Sequence, residues 1–278
     1  MCMGIGCGAV GVTGARIIDS PRERLIAIIT NSFVPCNGRL PGIIALITMF
    51  FTGSSVLGAA ILTGCIAFSV LISLFASKIL SKTVLKGLPA SFTLELPPYR
   101  LPKIKGIIVR SVFDRTVKIL GRAVVVAIPS GVIIWLCSNI FINGETVLEA
   151  ISSFLDPFAK LFGLDGNILS GFIFSLPANE IALPIMAMGY SGGELAKLIS
   201  LSETASVFIN GGFDYKNAIC TIIFFLFHWP CATTIITIYK ETKSFKWTFL
   251  SIIVPLIIGL SFCLFVNLFL RFFPLINA

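Results

Sequence analysis

The residues of this chain that could do chemistry sit at three places where proline interrupts an apolar run. Cys36 and Asn37 lie between Pro35 and Pro41, Asn179 and Glu180 between Pro177 and Pro184, and His228 and Cys231 on either side of Pro230. Thiolate, imidazole and carboxylate together suit a divalent transition metal such as Fe²⁺ better than Mg²⁺ or Ca²⁺. His228 and Cys231 are three residues apart, which puts them on one face of a helix. Each also has a plainer reading. A single cysteine in an apolar tract serves as a packed thiol, and His228, the only histidine, serves as a satisfied interior side chain. Arg39 either extends its tip to the interface or pairs with Glu180. A lone carboxylate such as Glu180 costs about 3 kcal/mol or more at membrane depth, so a structural ion pair is its plainer role.

The elements that must position these groups are apolar helices. The chain has 56% hydrophobic and 12% charged residues, about half the charged fraction of a soluble domain, and a mean hydropathy of +0.98. That composition predicts a single all-α unit, a polytopic membrane helix bundle in the lipid bilayer. A span needs about 20 apolar residues, so the tracts 123–144, 217–239 and 247–270 each read as one full helix, with 56–75 as a fourth. Two regions do not read as plain spans. The run from Leu25 to Val34 and the run from Gly42 to Thr52 are separated by Pro35 to Pro41, and 166–193 is split by Pro177 to Glu180 and again by Pro184. Proline removes a backbone donor and clashes with the preceding turn, so both regions are predicted to be discontinuous or re-entrant. Freed backbone at that depth is tolerated only inside protein or along a polar cavity, and paired broken segments point to a transporter's substrate site. The shared element Pro35-Cys36-Asn37 and Pro177-Ala178-Asn179 suggests a repeat.

The net charge of +8 is confined to one window. From Lys78 to Arg122 there are ten Lys or Arg against Glu95 and Asp114, and the rest of the chain balances. Such a patch with no soluble domain behind it reads as a cytoplasmic loop of a multi-pass plasma (inner) membrane protein and not as a nucleic-acid surface. Within it, Leu88 to Pro102 is a proline-rich linker, and from Ile104 the spacing of Arg110, Asp114, Lys118 and Arg122 predicts an amphipathic interfacial helix. The 143–165 segment then becomes an outer loop, and 166–216 must return to the side it came from, as a re-entrant hairpin would. The eight cysteines lack zinc-site or disulfide-scaffold spacing. Gly6-x-Gly8-x-x-Gly11 has no strand before it, so it reads as close helix packing rather than dinucleotide binding. No phosphate-binding loop motif occurs, so GTP is not expected to bind this chain. Neither a cleaved signal nor a lipoprotein anchor is expected at the start.

Several strings are familiar. Gly4-Ile-Gly-Cys7-Gly-Ala-Val, Arg16, Asp19-Ser-Pro-Arg-Glu-Arg-Leu25 and Pro35-Cys36-Asn-Gly-Arg39-Leu-Pro41 resemble the first gate region of the FeoB family, the bacterial ferrous-iron transporters. Leu96 to Pro102 is similar to that family's linker, and Pro230-Cys231-Ala-Thr-Thr to its late proline-cysteine segment. The resemblance implies that Fe²⁺ is the transported ion, that Cys7, Cys36 and Cys231 line its path, and that Leu176 to Glu180 belong to a second gate region. It implies a carrier rather than an enzyme, with a first gate region at 1–87, a linker and basic helix at 88–122, and a second gate region with C-terminal helices at 123–278. The family begins with a GTP-binding domain, whereas Met1 falls on the gate motif here. That fits either a degraded remnant or a truncated or split form, whose expected partners are a separate GTPase portion, a small cytoplasmic Feo-type accessory protein and further copies of the chain. Gly8-Ala9-Val10 stands where the family often unwinds at Asn-Val-Pro. A carrier of a nucleoside-like or other small substrate, and a non-transporting scaffold for a GTPase, are the alternatives.

Overall fold

The computed structural model describes residues 2–51, 55–83, 117–142, 144–191 and 201–272. Its helices are α1 (Cys2–Gly6), α2 (Gly8–Gly14), α3 (Pro21–Thr30), α4 (Leu40–Phe50), α5 (Ser55–Thr83), α6 (Lys118–Asn139), α7 (Val147–Leu161), α8 (Gly166–Phe174), α9 (Ala182–Tyr190), α10 (Leu201–Asn210), α11 (Tyr215–Phe227), α12 (Ala232–Thr242) and α13 (Phe245–Phe272). The fold is an all-α bundle, with one two-residue antiparallel pairing of β1 (Phe141–Ile142) and β2 (Glu145–Thr146). The runs Ser55–Thr83, Tyr215–Thr242 and Phe245–Phe272 are long and apolar enough to cross a membrane. Large apolar side chains such as Leu71, Phe75, Val125, Trp135, Phe265 and Phe269 stand exposed on α5, α6 and α13, a surface suited to lipid and not to water. This is a membrane protein.

The first broken region is a discontinuous span. Going up α3 and α4 means going down α5: Arg22 Nη2 donates to Ser81 O (3.1 Å), Ser73 Oγ to Thr30 O (3.4 Å) and Ser69 Oγ to Phe33 O (2.5 Å), and Ile47 packs on Gly58. The two half-helices together run antiparallel along the single long helix. The second broken region folds back on itself. Asp165 at the start of α8 accepts from Tyr190 at the end of α9, Asn167 packs on Gly189 and Gly171 on Met186. Each arm has nine residues, about 14 Å against a hydrocarbon thickness of about 30 Å, so this is a re-entrant hairpin whose ends meet on one side.

Three expectations are corrected. The 217–239 tract is not one helix: the backbone leaves helical geometry at His228 (ψ 175°) and resumes at Ala232, because Pro230 has no N–H to continue the ladder. α11 and α12 thus form a second discontinuous span lying along α13, with Cys263 Sγ against Cys220 O (3.4 Å) and Phe227 against Gly259. Pro184 does not break its helix. It occupies the first turn of α9, where its absent N–H would have had no partner. The 143–165 segment is no simple loop, since a Thr146–Glu149 capping box starts the 15-residue α7. The linker 88–102 and the basic helix from Ile104 lie outside the described residues apart from Val117 onward, which opens α6.

The two discontinuous spans are antiparallel to one another. Phe50 meets Tyr215 (ring centroids 6.0 Å), Gly42 abuts Phe225, and Arg16 bonds Glu241 (2.6 Å). α1 and α2 also form a small hairpin, with Gly4 close to Gly11 and Met3 close to Gly14. The sequence of hairpin, broken span and long helix therefore occurs twice, in opposite directions. The Pro-x-Asn strings fall in non-equivalent elements, one in a span and one in a hairpin. The equivalent pair is Pro35-Cys36 and Pro230-Cys231.

Charged groups mark both ends of this bundle, a half-buried Asp165 at one and the Arg16–Glu241 pair at the other. Burial pushes the Asp165 carboxyl up, against the pull of its Tyr190 hydrogen bond, and Asn217 Nδ2 adds a second donor (3.0 Å). The Glu241 carboxylate holds the Arg16 guanidinium above its ordinary value through its hydrogen bond and its charge.

Close packing of the first hairpin gives a direct test. A Cβ at Gly11 would overlap the Asn31 carboxamide, whereas one at Gly6 meets nothing. Gly11→Ala should lower unfolding stability in detergent by about 1–3 kcal/mol, with Gly6→Ala within about 0.5 kcal/mol of the parent.

Candidate functional site

Every helix break at membrane depth exposes carbonyls that need donors, and in this chain those donors also build the site. In the first break, the chain leaves α3 through a 3₁₀ turn at Asn31–Phe33 and becomes extended at Val34. Ser69 and Ser73 of α5 serve the Phe33 and Thr30 carbonyls. In the break between α11 and α12, the donors come from Arg39. Its Nη1 donates to Ser32 O (3.1 Å) and Leu226 O (2.8 Å), and its Nη2 to His228 O (2.9 Å) and Trp229 O (3.2 Å). Arg39 is 2% exposed. It therefore neither reaches the interface nor pairs with Glu180, correcting both expectations: the four carbonyls lie inside, whereas Glu180 is exposed and rests against Gly38. The tip of the second hairpin joins through Ala232 N–H, which donates to Leu176 O (2.7 Å).

These contacts border a small, partly open cavity of about 20 Å³ lined by Gly8, Asn31, Cys36, Arg39, Asn179 and Cys231, among others. Asn179 Nδ2 lies 3.9 Å from Cys36 Sγ, and Cys231 Sγ is 3.2 Å from Thr234 Oγ1. Three of the sequence-derived metal candidates, Cys36, Asn179 and Cys231, thus share one small space. Cys7 precedes the lining Gly8, which packs on Thr234, and lies within electrostatic reach of Cys231. Cys7 itself is extended (φ −153°, ψ 128°) between α1 and α2, so the helix opens there without an Asn-Val-Pro string.

The other candidates stand elsewhere. His228 is not on a helical face shared with Cys231, because the helix has ended at Phe227. Its ring is fully buried, with Phe172, Phe224, Phe225 and Trp229 around it, and Nδ1 faces the carbonyls of Phe224 and Phe225 (both 3.1 Å). Glu180 has no ion-pair partner among the described residues. Asn37 and Pro41 are exposed, while Pro35 and Pro230 are buried in their breaks and Pro177 is half-buried beside Asn179. No three His, Cys, Asp or Glu side chains converge as a metal cluster among the described residues, so the set at the cavity is two thiols with a carboxamide.

Sequence reading missed Asn31, Ser32 and Thr234. Asn31 Nδ2 donates to Gly8 O (3.0 Å) and ties the first hairpin to the first break. Asn31 Oδ1, Ser32 Oγ and Asn179 Oδ1 are buried with no hydrogen-bond partner. A polar pair, Asn31-Ser32, inside an otherwise apolar charge-free run was the available signal.

Two thiols on one cavity wall make a soft, low-coordinate site. In a variant whose only cysteines are Cys36 and Cys231, one equivalent of Hg²⁺ should protect both from alkylation, read by mass spectrometry. Independent alkylation of the two would contradict their shared cavity.

Two opposed units of hairpin and broken span, meeting at a thiol-lined cavity, define a gate-type helical membrane protein. Residues 120–245 match the family described as "Gate: Nucleoside recognition", and residues 62–114 match "Ferrous iron transport protein B C terminus". The "Fe(2+) transporter FeoB" of Staphylococcus aureus (strain MSSA476) is 30% identical over 269 residues, covering 92% of this chain and 38% of that protein. Proteins of the same name from Methanocaldococcus jannaschii (24% identical, 93% of this chain, 39% of that protein) and Synechocystis sp. (27%, 92% and 40%) are also similar. No solved structure matches. The chain belongs to the FeoB family and corresponds to its C-terminal membrane part, spanning about two-fifths of the length of these relatives.

Proposed function

We propose that this chain is the permeation part of a ferrous-iron transporter, with Fe²⁺ as its substrate. The ion passes between the two discontinuous spans and meets Cys36, Cys231 and Asn179, with Cys7 at the tip of the first hairpin. The observation that carries this reading is that three separate helix breaks bring two thiols and a carboxamide around one cavity. Its volume of about 20 Å³ holds about one water, which suits a dehydrated ion. A nucleoside-like substrate, suggested by the wording of the gate family, is far larger than that space. Glu180 and His228 are retained as flanking groups of the path rather than ligands at the cavity.

The same proposal includes a multi-pass chain in the plasma membrane with Lys78–Arg122 cytoplasmic. Positive charge then marks the side on which α5 ends and α6 begins. It also includes division into gate regions at 1–87 and 123–278 around a linker at 88–122, a transport role without catalysis, and coupling to GTP through a GTPase portion. A small accessory protein and homo-oligomers belong to the same set.

Fe²⁺ uptake into proteoliposomes under reducing conditions tests the core claim. Cys36→Ser and Cys231→Ser should each lower uptake about tenfold or more, since a hydroxyl is a poor ligand for this ion. Unaltered uptake would remove the thiols from the path, and metal-independent uptake of a labelled nucleoside would replace iron with the competing substrate.

A further inference from the structure

Two side-chain oxygens at the cavity wall have nothing to bond. Ser32 and Asn179 both line the cavity and are 4% and 5% exposed, yet Ser32 Oγ and Asn179 Oδ1 have no hydrogen-bond partner among the described residues. A buried polar atom left in that state costs about 1–3 kcal/mol, which a bound ion or water would offset. Ser32 is the exception among its kind. Every other buried serine of the described residues places its hydroxyl within 3.4 Å of a carbonyl or a second hydroxyl. The Ser32 carbonyl is taken by Arg39 Nη1 (3.1 Å), and Asn179 turns its Nδ2 toward Cys36 Sγ (3.9 Å), so in each residue it is the remaining oxygen that is unserved. Asn31 Oδ1, also unpartnered, packs on Gly4 and Gly11 and so faces the first hairpin instead.

We propose that Ser32 is a further contact for the transported ion. Its hydroxyl oxygen joins Asn179 Oδ1, so that the cavity offers two sulfurs and two neutral oxygens, a set that favours a borderline dication over thiol-seeking monovalent ions. The inference rests on the iron-path reading above. An ion that sheds its water needs protein oxygens in place of the lost shell, and a borderline dication takes them together with sulfur. A soft monovalent ion is satisfied by thiol sulfur alone and gains little from a hydroxyl. Each thiol that becomes a ligand gives its proton to solvent, whichever ion binds. Hydroxyl and carboxamide are uncharged, so removing the Ser32 oxygen leaves that charge and proton balance unaltered and changes only the number of donors.

The test uses the full chain with Cys36 and Cys231 as its only cysteines, kept reduced by a phosphine. It is titrated with Co²⁺, whose thiolate charge-transfer absorption reports binding, and by calorimetry with Ag⁺ as a soft monovalent ion. Ser32→Ala should weaken Co²⁺ about tenfold and leave Ag⁺ within about twofold, since only the dication uses the oxygen. Without any ion the same variant should be as stable as its parent or more so, because it loses a hydroxyl that bonds nothing. Ser32→Cys supplies a third sulfur and should tighten Ag⁺ about tenfold. Unchanged Co²⁺ affinity in Ser32→Ala, or an equal loss for both ions, would overturn the proposal. So would an ion-free Ser32→Ala chain that is less stable or does not fold, since the hydroxyl would then have a structural role. Co²⁺ binding that is absent from the parent, or that survives Cys36→Ser with Cys231→Ser, is a separate outcome: it removes the iron-path reading itself.

Discussion

The structure depends on one requirement, that backbone carbonyls released inside a membrane must find donors. Arg39 meets most of that demand at the centre, bonding Ser32 of the first discontinuous span and Leu226, His228 and Trp229 of the second. Without it, four carbonyls at the ends of two half-helices would be left facing a cavity large enough for about one water. The guanidinium is suited to the task because its donors diverge in a fixed plane, so one side chain reaches two chains running in opposite directions. The negative ends of the α3 and α11 helix dipoles also point toward it, which favours a cation there over any neutral donor. The clamp draws the two Pro-Cys dipeptides together, and the thiol cavity is its by-product.

Around this centre, irregular backbone is kept inside and regular backbone outside. α5 and α13, with 29 and 28 residues, are unbroken and present exposed leucine and phenylalanine side chains outward. The two broken spans pack against them, around Phe33, Phe172, Phe224, Phe225 and Phe227, all fully buried. This segregation is what lets the breaks exist, since lipid offers no hydrogen bonds.

Much of this was legible in the sequence. The uncharged tracts gave the long helices, the clustered prolines gave the breaks, and the need of 166–216 to return to its own side gave the re-entrant hairpin that Asp165 and Tyr190 now close. The polar residues in the breaks pointed to Cys36, Asn179 and Cys231. Less legible was anything set by direction of approach. Pro230 falls at the break between α11 and α12, whereas Pro184 sits in the opening turn of α9, where no hydrogen bond is lost. Arg39 read as a surface or ion-pair residue because three of its four partners are carbonyls almost 190 positions away, which no local pattern encodes. His228 and Cys231, three apart, separated once the intervening backbone became extended.

The contact between Asn31 and the first hairpin has an evolutionary meaning. Its carboxamide donates to Gly8 and fills the space that side chains at Gly4 and Gly11 would otherwise take. A larger residue at either glycine is excluded while asparagine stays, and a smaller residue in place of asparagine leaves a void and an unserved carbonyl. Positions 4, 11 and 31 therefore form one unit of inheritance: a lineage that relaxes one must relax the others in step, and the hairpin bearing Cys7 drifts only as a whole.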